Sequence, residues 1–206
     1  MLAIKYILFS QLLITLFTSN LSAQSFELMP GTERVFIDNQ WLKSFDEKGK
    51  WSLFSRSRAT VDYSENTNLF TGAYLNYTTK SGIGGTVLGR VSTLGAGGDA
   101  GIHFFKANES FLIYALASIE MQSELAYSWF SILRYTPAIN SDWKVYTSLE
   151  LFTNFSQGYH LASVQRIRIG LGHSNYQFGL ALNLSGLGHK YDNTDINPGI
   201  FFRKQF

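Results

Sequence analysis

The sequence predicts an all-β protein, a closed antiparallel β-barrel built to cross a membrane. Three observations lead there. After residue 50, apolar and polar residues alternate with a period of two, the mark of strands with two unlike faces. The alternating segments run roughly 8–13 residues, against ~5–6 for ordinary strands and ~9–11 for tilted strands spanning a bilayer. Three prolines, 18 glycines and 16% aromatic residues suit long, curved, continuously paired strands.

The chain opens with an export signal. Lys5 supplies positive charge, Ile7 to Phe17 form a short apolar core, and Leu21-Ser22-Ala23 offers a small residue at a cleavage point. Residues 1–23 are therefore expected to be a cleaved signal peptide, and residues 24–206 one barrel domain. The apolar core is shorter than the ~20 residues a membrane helix needs, and charges or strongly polar residues interrupt every later apolar run.

Residues 24–50 come next. Asp46-Glu47-Lys48-Gly49 reads as a hairpin loop with glycine at its left-handed position. Glu33 to Phe45 then becomes a strand, paired with a short one near Phe26-Leu28. Counting this arm gives twelve strands, and reading it as an extension gives ten. The hairpin signal and the expected even count favour twelve.

Ten segments follow. Trp51, Leu53, Ala59, Val61 and Tyr63 share one face, with Phe54, Arg56, Arg58 and Asp62 on the other. Leu69–Thr79, Ile83–Leu94 and Asp99–Lys106 are the next strands. In Phe111–Met121, Ile113, Ala115 and Ile119 oppose Ser118 and Glu120. In Leu125–Tyr135, Tyr127, Trp129 and Leu133 oppose Arg134. Trp143–Phe155 sets Val145, Leu149 and Leu151 against Tyr146, Ser148 and Glu150. Leu161–Leu171 sets Ile167 and Ile169 against Arg166 and Arg168. Tyr176–Leu184 and Gly199–Phe206 complete the set. The links at 80–82, 106–109 and 172–175 are short, with Pro137 to Asp142 the exception, while Gly186 to Asn197 is the longest and lies at the other end with Ser156 to His160. Short turns at one end and long loops at the other are the asymmetry of membrane barrels. Trp51, Trp129, Trp143, Tyr63, Tyr77, Tyr127 and Tyr135 lie toward strand ends, as girdles at the two interfaces would.

The last strand reads Ile200-Phe201-Phe202-Arg203-Lys204-Gln205-Phe206. A terminal aromatic with apolar residues at alternate positions upstream resembles the assembly signal of bacterial outer-membrane β-barrels. Ile200, Phe202 and Phe206 match, and Lys204 departs from the pattern. The resemblance implies residence in the outer membrane, a periplasmic C-terminus, contact with outer-membrane lipid, and insertion by the barrel-assembly machinery. It assigns no subfamily.

Composition narrows the function. Seventeen Lys+Arg against fifteen Asp+Glu is near balance, so nucleic acid is not an expected partner. With no cysteine there is no disulfide framework, thiolate metal site or lipid-modified cysteine. Neither Gly82-Ile83-Gly84-Gly85 nor Gly95-Ala96-Gly97-Gly98 is followed by the Lys-Ser/Thr and helix of a phosphate loop; they read as a turn and as bend points. No cofactor or metal is expected, and the acids of the 186–197 loop match no calcium pattern.

The chemistry lies in the arginines. Arg56, Arg58, Arg90, Arg134, Arg166, Arg168 and Arg203 all fall opposite the aliphatic face, and so point into the lumen. Two readings follow. An arginine-lined narrow pore would prefer small anionic solutes, because guanidinium offers charge and planar donors. Alternatively, the arginines pair with Asp62, Asp99, Glu120 and Glu150 and fill a closed, structural lumen. The chain is not read as an enzyme, because no local catalytic motif is present. The alternatives are a barrel hydrolase using His103 or His160, and an adhesion barrel acting through its outer loops.

Overall fold

The structure, a computed structural model, describes residues 24–64, 66–93, 95–120 and 125–206. The expected signal peptide lies outside these residues. Twelve strands form the barrel: β1 Gln24–Pro30, β2 Arg34–Ser44, β3 Trp51–Asp62, β4 Thr67–Thr78, β5 Ile83–Ser92, β6 Gly95–Ala107, β7 Phe111–Glu120, β8 Ala126–Tyr135, β9 Trp143–Ser156, β10 Tyr159–His173, β11 Tyr176–Leu187 and β12 Asn193–Gln205. Each pairs antiparallel with its sequence neighbours. β1 pairs with β12, from Ser25↔Gln205 to Leu28↔Phe202, and closes the sheet. Closure leaves no edge of unpaired amides and carbonyls, which hydrocarbon could not satisfy.

The arm before residue 50 belongs to the barrel, which settles the count at twelve. Gly49 takes φ +63° in the turn after β2, and Asp46 accepts backbone N–H bonds from Lys48, Lys50 and Trp51.

The outer surface is apolar all round. At mid-height Ile102, Ile169, Leu180 and Ile200 are each more than half exposed, Leu180 by 69%. A water-soluble monomer would not expose such a continuous belt. Trp51, Tyr77 and Tyr135 are exposed at the end that carries Phe206, and Tyr63, Tyr127 and Trp129 toward the opposite end. Ile200, Phe202 and Phe206 face outward along β12. The Lys204 ammonium lies 4.6 Å from the Phe206 ring and 5.6 Å from that of Tyr176, so its stem covers apolar surface at the interface.

Two expectations need correction. The links are not longer at one end: 93–94 and 157–158 at the outer end are as short as 174–175 at the inner end. The segment read as the longest loop shrinks to residues 188–192, because β11 and β12 each run further than the sequence suggested. Their backbone pairing continues through Leu187↔Asn193, since polar residues such as Asn193 and Asp195 tolerate a strand once it rises beyond the apolar belt.

The inner face is not uniformly polar. Met29, Phe36, Tyr146, Ala181 and Phe201 pack as one buried cluster, and Tyr74, Leu88, Leu116, Phe130 and Ile132 as a second. These side chains occupy lumenal space and flank the charges, as in small barrels filled from within.

Candidate functional site in the barrel interior

Strand alternation sends Arg56 and Arg58 inward from β3, and Arg166 and Arg168 inward from β10. Asp38 on β2 stands opposite Arg58, and Glu150 on β9 opposite Arg166. The groups meet in the middle of the lumen. Arg56 binds Asp38 through Nε at 2.7 Å and Glu150 through a terminal nitrogen at 2.5 Å. Arg58 reaches the same two carboxylates at 3.4 and 2.9 Å, and Arg166 closes on Glu150. Arg56 and Asp38 are each only 2% exposed. Their charges can be retained there only because each is paired and hydrogen-bonded. The Phe36 ring lies under Arg166 at 4.9 Å, adding a cation–π contact.

A second cluster sits on Glu27 of β1. Arg168 donates to it from Nε at 2.9 Å, and Arg203 of β12 approaches at 3.7 Å while donating to Ser25. Arg168 also donates to the Asn183 side chain and to the backbone carbonyl of Ile167. A third pairs Arg90 with Asp99 at 3.3 Å and with Glu120. Arg134 has no carboxylate within ion-pair distance among the described residues. Its guanidinium lies 5.9 Å from the Tyr146 ring.

Asp62 departs from its expected role. It points to the inner side of β3, but at the outer rim, half-covered, 4.0 Å from Arg34, which binds Asp195 at 2.9 Å. Alternation set its face correctly; its position at the strand end keeps it from the central arginines. Glu27 and Asp38 take up that role, and both lie in the segment that the sequence left ambiguous. The signal was present: Glu27 alternates with Phe26 and Leu28, and Asp38 follows Ile37 on a strand that begins Arg34-Val35-Phe36.

Little room remains among these groups. A cavity of about 20 Å³ lies among Asp38, Arg56, Glu150, Arg166 and Arg168, enough for about one water. Below it, toward the end that carries Phe206, the barrel opens into a cup of about 1260 Å³. Lys48, Lys50, Lys80 and Lys106 ring the cup, and Arg134 and Arg203 stand deeper in it. Phe54, Leu112, Tyr114 and Ile132 also line it. No Asp or Glu side chain lines it among the described residues.

His103 is buried between Thr86, 2.8 Å from Nδ1, and Thr78, 2.9 Å from Nε2, and it stacks on Tyr114. His173 packs on Trp143 and His189 on Tyr159. His160 lies in β10 against Ser163. Among the described residues no three His, Asp or Glu side chains converge as a metal site.

A closed twelve-stranded sheet, an apolar belt and a charged interior define an outer-membrane β-barrel. Neither a protein-family model nor any curated protein matches the chain. Solved structures share its fold. The KdgM porin in complex with disordered oligogalacturonate aligns over 90% of this chain and 99% of that one, at 8% identity and a TM-score of 0.53. The NanC porin aligns over 88% and 98%, at 10% identity and 0.53. LpxR from Salmonella typhimurium aligns over 90% and 100%, at 8% identity and 0.51. At such identities the likeness is one of fold, shared by porins and by LpxR alike.

Proposed function

We propose that this chain is an outer-membrane barrel whose lumen is closed by its own charges, and which does not conduct at rest. The observation that carries this reading is the Arg56–Asp38–Glu150–Arg58–Arg166 cluster, with room for about one water at its centre. A hydrated ion needs a wider path. Planar-bilayer recording of the purified protein tests it. Silence at moderate voltage is expected, and steady open-channel steps would overturn it.

A second reading, an anion pore opened by loosening that cluster, is favoured by the cup. Six cationic side chains and no carboxylate line it, and of the six only Arg203 meets a carboxylate in the lumen, Glu27 at 3.7 Å, so its field draws anions in. Glu150 pairs with three arginines, and Glu150→Gln weakens its hold on all of them. The variant should show intermittent anion-selective conductance, blocked by a polyanion such as oligogalacturonate added on the side of the cup. Cation selectivity in that variant would exclude the reading.

A further inference from the structure

A buried polar pair on the outward wall of a barrel needs a reason, because lipid chains do not hydrogen-bond it as water would. One such group stands on β10. Ser163 pairs across the sheet with Thr153 of β9 and with Gly186 of β11, all on the outward face. The pairing register slips between His160 and Ala162, with Leu161 as the extra residue. The bulge turns His160 to the same side as Ser163, although they are three apart, and bulges often re-aim a side chain in this way. His160 Nε2 then lies 2.8 Å from Ser163 Oγ, and Nδ1 lies 2.7 Å from the carbonyl of Gly188.

The chemistry of this arrangement is directional. A backbone carbonyl only accepts, so Nδ1 carries the proton. In the neutral ring Nε2 is then a bare base facing the serine hydroxyl. A nucleophile, a base and a group fixing the base's tautomer are the components of acyl-transfer catalysis. At rest the Ser163 hydroxyl also donates to Thr153 Oγ1 at 3.1 Å and must turn toward Nε2 for attack; the Thr153 hydroxyl and the carboxamide of exposed Gln165 are polar groups on that face for a developing oxyanion.

Tyr191 covers the site on one side, and Phe155 packs edge-on against His160 on the other. Tyr191 stacks on His160 with ring centroids 4.1 Å apart, and its ring occupies the space where a Cβ on Gly186 would stand, directly across from Ser163. Tyr191 holds φ +59°, the left-handed region a bulky residue rarely adopts. Such strain collects at ligand clamps and switches. The pair stands level with Trp129, which pairs with Thr153 at the outer aromatic girdle. That girdle marks the interface between headgroups and chains, where acyl ester bonds of lipids lie.

We propose that Ser163 and His160 are a nucleophile–base pair on the outer wall, acting on acyl esters of the surrounding lipid, with Tyr191 as a displaceable cover. Ser163 Oγ attacks the ester carbonyl as its proton passes to His160 Nε2. The ester C–O bond breaks, and the departing alcohol takes that proton. Water then attacks the acyl-serine, giving its proton to Nε2, which returns it to Ser163 Oγ as the fatty acid leaves. The net reaction is ester plus water to acid plus alcohol. The site is independent of whether the lumen conducts.

The test uses the whole barrel in mixed micelles, with folding verified by heat-dependent gel migration. A fluorophosphonate probe should label the wild type, and peptide mapping should place the adduct on Ser163. Release of labelled fatty acid from a phospholipid should disappear in Ser163→Ala and fall ~100-fold or more in His160→Gln. Tyr191→Gly should speed labelling severalfold. Cleavage of a short soluble ester without cleavage of the lipid would overturn the substrate class. An adduct mapped elsewhere, or no labelling of either folded wild type or Tyr191→Gly, would overturn the site.

Discussion

Arg56 is held from two sides of the barrel, by Asp38 on the adjoining strand and by Glu150 from across the lumen. Removing it does not simply delete a contact. It leaves two buried carboxylates short of their counter-ion, and breaking a buried pair in this way costs ~3–5 kcal/mol. Arg56→Ala should therefore melt well below the wild type, read as the temperature at which the folded gel band is lost. Arg166→Ala should be milder, because Glu150 retains Arg56 and Arg58. Equal losses for the two would show that the groups do not share the load as the geometry indicates. Arg134 is the converse case. With no carboxylate beside it, Arg134→Gln removes charge from the cup without orphaning an acid, and the barrel should fold with a melting temperature near the wild type's.

At the scale of elements, the β2–β3 hairpin shows how a turn is written in sequence. Three backbone N–H groups converge on Asp46, that of Trp51 foremost, and hold its carboxyl below the usual aspartate range. The sign follows directly. A depressed folded-state value stabilises the fold at pH above the ordinary aspartate value, ~3.9, and that contribution is lost as pH falls through the lower, folded value. Asp46→Asn should thus be less stable than the wild type near neutrality, with the difference vanishing in acid; a difference that stays constant with pH would refute this. Gly49→Ala forces a Cβ into the left-handed region and should cost ~1 kcal/mol. This hairpin was legible because turn chemistry is local. So was the alternation of β3 to β12. The contacts of Arg58 with Glu150, 92 residues away, were not, because alternation assigns a face but neither a height nor a partner across the lumen. The bulge at Leu161 was likewise hidden, since a one-residue slip leaves no mark in an alternating pattern that already contains Leu161 and Val164. It is this slip that sets His160 beside Ser163.

For the molecule as a whole, belt, girdles and closed sheet act together, and the expected behaviour is that of a membrane barrel. Unheated samples should migrate apart from boiled ones on a gel. Removal of Phe206 deletes an outward aromatic at the inner rim, where the resemblance to the assembly signal is carried. That truncation should lower the amount inserted into the outer membrane while leaving refolding in detergent intact; equal insertion would set the terminal residue aside as a signal. One feature also bears on the order in which the barrel is completed. Glu27 belongs to the first strand, yet its partners Arg168 and Arg203 belong to β10 and to the last. Before the two ends of the chain meet, those two guanidiniums stand without that carboxylate, and the half-built interior carries uncompensated positive charge. Joining the first strand to the last is thus also the moment at which both arginines gain their shared carboxylate. A ring shut in another register would separate Glu27 from Arg203, so the same contact that closes the barrel also marks its register.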